Sequence, residues 1–162
     1  MRHKIVIRKD RPLRDIGMAR LIRKAVRAAL NAENVDVPCR IEIRMTDDEN
    51  IRVLNREHRD IDRATDVLSF PLMELVPGDF YVDEFELDPE TGMLWLGDMI
   101  LSVERIRAQA EEFGHSTARE AAYLTVHSVL HLLGYDHVDE GEMKKAMRAR
   151  EDAILCSMGI TR

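Results

Sequence analysis

The sequence predicts an α+β domain: a small mixed sheet of four strands with about five helices packed on it. Three observations lead there. The elements read in the order β-α-β-α-β-β-α-α-α, without the regular alternation of a doubly wound sheet. The chain has 162 residues, and at ~100–200 residues per domain residues 1–162 make a single domain. Hydrophobic residues make up 45% and charged residues 33%, enough apolar material for a core and too ordered a composition for a disordered chain.

Residues 3–8 alternate as a short strand, with Ile5 and Ile7 on one face. Pro12 suits the first turn of a helix, and Leu13, Ile16, Leu21, Ala25 and Ala29 recur at helical spacing to about Leu30. Residues 39–45 alternate strictly and read as a half-buried strand. Thr46-Asp47-Asp48-Glu49 has a capping-box pattern and opens a short helix through Val53 and Leu54. Residues 67–70 form a third strand ended by Pro71. Residues 72–93 hold Pro77, Gly78, Pro89 and Gly92 and read as a loop, with a poor hairpin at 80–87. A fourth strand spans 95–102. Helices follow at 103–113, at 117–133 with Thr117 and Glu120 as a capping box, and at 140–158, from Asp139 to Gly159.

Charge and cysteine content narrow the function classes. There are 24 Lys/Arg and 30 Asp/Glu, a net charge of -6, which argues weakly against a nucleic-acid binder. The charge is unevenly placed, however. Basic residues crowd the first 30 positions, and none occurs between Arg63 and Arg105, where acids accumulate. Arg20, Arg23, Lys24 and Arg27 suit either a solvated helix face or contact with a polyanion. Cys39 and Cys156 alone make neither a disulfide framework nor a four-thiolate zinc site, and Cys156 is expected to be a buried thiol. No run approaches the ~18 apolar residues of a membrane span, and the first residues are too short a hydrophobic stretch for a signal peptide. The expected setting is cytoplasmic, with no membrane partner and no small organic cofactor.

Three of the six histidines fall within eleven residues: His127, His131 and His137. A spacing of four puts His127 and His131 on one helical face, able to reach one ion. Gly134 stands where a helix stops, and the returning chain brings His137 as a third ligand. Three neutral imidazoles favour zinc or a similar cation, one per chain, with a fourth position open for water, and an open site points to catalysis. The neighbours Leu124, Val126, Val129, Leu130, Leu132 and Leu133 mark a buried helix, where uncoordinated imidazoles would be costly. The zinc site is therefore expected at the end of the central helix. The spacing is shared with zinc peptidases, whose general base follows the first histidine. Here that residue is Ser128, which cannot take a proton as a carboxylate does.

The segment His127-Ser128-Val129-Leu130-His131-Leu132-Leu133-Gly134-Tyr135-Asp136-His137 resembles the H-G-x-L-H-L-x-G-Y-D-H signature of the YbeY family of ribosomal RNA maturation endoribonucleases. Asn55 to Arg59 followed by Thr65 to Pro71 is similar to its N-x-x-[YH]-R and T-D-V-L-S-F-P block, and Leu96 to Ser102 to its L-G-D-I-x-I-S strand. Ser128 departs from the family's glycine. The resemblance implies a zinc-dependent single-strand endoribonuclease that matures ribosomal RNA, including the small-subunit 3′ end, and serves ribosome quality control. Its partners would be ribosomal RNA and the small subunit, its zinc ligands His127, His131 and His137, and its functional arginine Arg59.

Phosphodiester chemistry agrees, because a cation and a planar guanidinium both suit a phosphate whose charge grows in the transition state. The alternative for Arg59 is an ion pair with Asp60 or Asp62. Asp66 and Asp98 are expected to cap or pair locally, His58 to be a surface histidine, and Tyr135 and Asp136 to shape the turn. The acidic 72–93 loop is expected to stay clear of the metal site. The competing functions are a zinc peptidase and a non-catalytic ribosome-assembly factor with a structural zinc. No residue is identified as the general base.

Overall fold

The computed structural model describes residues 2–14, 17–136 and 141–161. Strand β1 (Lys4–Lys9) runs parallel to β2 (Cys39–Thr46), and α1 (Met18–Ala32) makes the crossover that a parallel pair requires. Helix α2 (Asp48–Arg59) leads to β3 (Val67–Pro71), and β4 (Leu94–Ser102) is followed by α3 (Val103–Phe113), α4 (Thr117–Leu132) and α5 (Glu142–Ser157). The sheet order is β1-β2-β4-β3, with β4 parallel to β2 and antiparallel to β3. This is the small mixed α+β domain that the sequence predicts. None of the described helices is long and apolar enough to cross a membrane.

The two sheet faces are covered unequally. Ile41, Ile43 and Met45 of β2 and Met99 and Leu101 of β4 meet the apolar faces of α1, α4 and α5 in the main core. On the other face α2 covers only the β3–β4 end, where Ile51 packs with Leu68 and Ile100. The remainder of that face is open, and Arg40 lies over the exposed Trp95, its guanidinium carbon 4.2 Å from the ring centre. Helix α4 is central: Ala121, Ala122, Val126, Val129, Leu130 and Leu132 are all fully buried.

Several boundaries differ from the sequence reading, each for a local reason. The first helix starts at Met18 rather than Pro12, because Gly17 adopts φ 72° and breaks the helical run. The second is capped by Asp47, whose side chain accepts from the Asn50 amide, and continues to Arg59, where Asp60 at φ 58° ends it. Ser116, one residue before Thr117, caps α4 by accepting from the Arg119 amide. No hairpin forms at 80–87 among the described residues. Instead the Asp83 amide donates to the Glu86 carboxylate and the Glu86 amide to the Asp83 carbonyl, around a 3-10 turn at Glu84–Glu86. Cys156 is exposed, lying one step around α5 from the buried stripe of Met147, Ile154 and Leu155, and both cysteines are free. Asp139 and the start proposed for the last helix lie outside the described residues.

Gly97 lets the β3 backbone lie close against β4. Its φ is 140°, and a Cβ there would stand 2.2 Å from the Phe70 carbonyl oxygen and 3.1 Å from the Leu132 side chain. It follows a β-bulge, with Arg40 opposite Trp95 and Ile41 opposite Gly97, so Leu96 is the extra residue. Gly97→Ala is therefore expected to cost about 3 kcal/mol or more, lowering Tm by roughly 6–12 °C. A thermal melt within about 2 °C of the parent would show that the bulge relaxes to accept a side chain.

Candidate metal centre

Helix α4 holds His127 and His131 one turn apart, and their rings meet edge to face with centroids 4.6 Å apart. Each imidazole has its Nδ1 engaged away from the other. His127 Nδ1 lies 2.6 Å from Oε1 of Glu151 on α5. His131 Nδ1 lies 2.9 Å from the main-chain carbonyl of Tyr135, in the turn after α4. A carbonyl or a carboxylate accepts, so in both rings Nδ1 is the N–H donor and Nε2 carries the lone pair. The two Nε2 atoms face each other at 3.1 Å.

Two facing lone pairs at that distance repel unless an electrophile lies between them. A shared proton or a metal ion can serve. Two nitrogens bound tetrahedrally to zinc at ~2.0–2.1 Å stand about 3.3 Å apart, so the pair fits two ligands of one zinc ion. His137, the third ligand expected, lies outside the described residues. Among the described residues no cluster of three or more metal-binding side chains is assembled.

The turn after α4 is held from two sides. Gly134 adopts φ 99°, and a Cβ there would fall 2.0 Å from the Leu75 carbonyl oxygen, so the turn packs directly on the loop that follows β3. Tyr135 donates its phenol to Glu33 at 2.7 Å, and Arg150 Nε donates to the other oxygen of Glu33 at 2.5 Å. Burial, with the bond and charge of Glu33, pushes the Tyr135 phenol up to about 12, so it remains a donor.

The histidines open onto a cleft of about 910 Å³ lined by His58, Arg59, β3, the turn at Gly134–Asp136 and residues 73–75. The 72–93 loop is thus nearer the site than its acidity suggested, because Met73 and Leu75 dock on the core and carry Glu74 to the cleft wall. Arg59 is exposed at the end of α2. Asp62, its candidate ion-pair partner, is held by Arg52 through two bonds of 2.9 and 3.2 Å. Buried Asn55 fixes this helix end by donating to the Arg63 carbonyl at 2.9 Å. His58 is exposed, as expected, and its ring stacks obliquely on Phe70, centroids 5.0 Å apart. Arg20, Arg23, Lys24 and Arg27 contribute nothing to the cleft lining.

Asp66 caps locally, as expected, accepting from the Val67 amide at 2.7 Å, and its other oxygen accepts from Gln109. The Asp98 carboxylate has no hydrogen-bond partner among the described residues. It stands beside Glu42 on the open face, where desolvation and the charge of Glu42 raise its carboxyl. Ser128 is fully buried, and its hydroxyl lies 2.6 Å from that of Ser69 on β3. It therefore ties the histidine-bearing helix to the cleft wall and cannot stand in for a peptidase's carboxylate base.

The sequence reading missed Glu151, Glu33 and Arg150. For Glu151 a signal existed: it occupies a place in the apolar stripe of α5, four residues from both Met147 and Leu155. An acid on a buried stripe needs a partner.

The Ser69–Ser128 bond yields a stability prediction. Ser128→Ala leaves the Ser69 hydroxyl without that partner and should cost about 1–2 kcal/mol in urea denaturation. Adding Ser69→Ala should recover part of the loss, giving a coupling near 1 kcal/mol. Strictly additive losses would show that the two hydroxyls do not interact.

Comparisons with known proteins agree on one family. The sequence model described as Endoribonuclease YbeY matches residues 5–159. A Clostridium acetobutylicum protein named Endoribonuclease YbeY is 46% identical over 155 residues, covering 91% of this chain and 92% of its own. A Clostridium kluyveri protein of the same name is 45% identical over 144 residues, covering 85% and 87%. The solution structure of TM1509 from Thermotoga maritima shares the fold, with a TM-score of 0.58 at 23% identity over 95% of this chain and 91% of that one. Facing imidazoles on a buried helix, an arginine across the cleft and these relatives agree: the chain belongs to the YbeY family of endoribonucleases.

Proposed function

We propose that this protein is a zinc-dependent single-strand endoribonuclease that hydrolyses phosphodiester bonds in ribosomal RNA. The small-subunit 3′ end would be a substrate, and ribosome quality control a second setting, in the cytoplasm. Family membership supports the reaction class. The observation that carries the metal reading is the pair of imidazole Nε2 atoms facing each other at 3.1 Å. One zinc per chain would be held by His127, His131 and His137. When bound, zinc supplies Lewis acidity toward a phosphoryl oxygen and lowers the pKa of a water ligand to about 7.

The chain's own residues account for binding and orientation. The cleft is open enough for a flexible single strand, and its wall carries Arg59 facing the same space as the histidines. A guanidinium grips two non-bridging phosphate oxygens at once, which fixes the phosphate and offsets the charge that grows in the transition state. Arg56, His58 and Arg59 share the last turn of α2, where cations are also favoured by the helix dipole. The basic residues of the cleft thus come from a short stretch of chain next to a long segment without any.

Two variants separate metal binding from phosphate handling. His131→Ala should lose zinc, RNA cleavage and thermal stability together, because site formation and folding are coupled. Arg59→Ala should keep zinc content and Tm while cleavage of single-stranded RNA falls ~30- to 1000-fold, and Arg59→Lys should recover only part. Cleavage by Arg59→Ala at the parent rate would remove it from the reaction. Parent protein that carries no zinc and stays active would remove the metal, and digestion of casein instead of RNA would favour a peptidase.

A further inference from the structure

The structure assigns to Glu151 a positioning role: it sets the tautomer and ring orientation of His127, so that Nε2 is presented to the site. The zinc part of this inference rests on the function proposed above, while the tautomer part does not. Glu151 is 3% exposed and comes from α5, a helix with no part in the motif that marks the family. Its Oε1 lies 2.6 Å from His127 Nδ1. An imidazole in water prefers its proton on Nε2, which would block coordination through that atom. A buried carboxylate at Nδ1 reverses the preference, because leaving the carboxylate without a donor costs far more than the tautomer change. The same bond makes Nε2 a better donor to a cation.

The neighbouring residue makes the same argument for the other ring. Arg150 clamps Glu33, which holds the Tyr135 phenol, and the Tyr135 carbonyl accepts from His131 Nδ1. Arg150 also donates to the Ala32 carbonyl at 2.8 Å, anchoring the clamp to the end of α1. Two consecutive residues of α5 therefore reach both imidazoles, Glu151 directly and Arg150 through Glu33 and Tyr135. Glu151 belongs neither to the expected ligands nor to the cleft lining, so it acts on the site only through His127.

The test reads the imidazole nitrogens of the full-length chain by 15N NMR, together with zinc affinity measured against a competing chelator. In metal-stripped parent protein His127 should carry its proton on Nδ1. Glu151→Ala should return it to Nε2 and weaken zinc binding 10- to 100-fold. Glu151→Gln, whose amide oxygen still accepts, should keep the Nδ1–H tautomer and lose less affinity. If the alanine variant unfolds, metal-stripped parent and Glu151→Gln are compared instead, and Nδ1–H should persist in both. A parent His127 protonated on Nε2, or an alanine variant with unchanged tautomer and affinity, overturns the assignment. Equal affinity loss in Glu151→Gln and Glu151→Ala, with no tautomer change in either, would make Glu151 merely structural and overturns it too. Parent chain that shows the Nδ1–H tautomer but binds no zinc would reject the zinc reading and leave the tautomer assignment standing.

Discussion

Placing two imidazoles on a helix that is buried along most of its length imposes a constraint that much of the surrounding structure meets. Each ring has one nitrogen to present and another to satisfy. Both Nδ1 atoms are satisfied by groups fixed elsewhere in the fold, the Glu151 carboxylate and the Tyr135 carbonyl. Those groups in turn require α5 to pack on α4, the turn at Gly134 to close tightly, and α1 to end where Glu33 can meet Arg150. The packing of α4 against α1, α3, α5 and β3 supplies the rigidity that such a site needs.

The pairing of buried Glu33 with the part-exposed Arg150 is best understood in this light. Such a pair is weak support for stability, because desolvation of the carboxylate offsets much of the attraction. Its value here is geometric. Arg150 neutralises Glu33, Glu33 fixes the Tyr135 phenol, and the turn at Gly134–Asp136, whose carbonyl holds His131, is tied in place. Gly134 does the same on the opposite side, since only a residue without a side chain lets the turn touch the Leu75 carbonyl.

The cleft shows how sheet and helices share the work. Strand β3 is the antiparallel edge strand, and it forms the cleft wall because it lies over α4. Its Ser69 bonds Ser128 one residue from His127, and its Phe70 carries the His58 ring beside Arg59. Gly97 leaves room for the Phe70 carbonyl of β3, which a side chain there would strike. The histidine-bearing helix, Arg59 and the cleft wall are thus set by contacts only a few residues apart.

The sequence by itself determined the element order and the buried helix with histidines four apart, because these depend on short-range periodicity and spacing, and it carried the family in its motif blocks. His127 and His131 stood out by spacing, whereas Arg59 was named only through the family resemblance, since its own surroundings favoured a surface ion pair. It misplaced the start of α1, since the apolar pattern runs smoothly past Gly17 and only the backbone angle shows the break. It also put Cys156 inside, because one step around a helix separates buried from exposed. Only the tertiary structure decided what orients the histidines. Glu151 is 24 residues from His127 and Glu33 is 102 from Tyr135, and no local propensity links residues that far apart. Their pairing follows from the burial of polar groups that must find partners wherever the packed helices bring them.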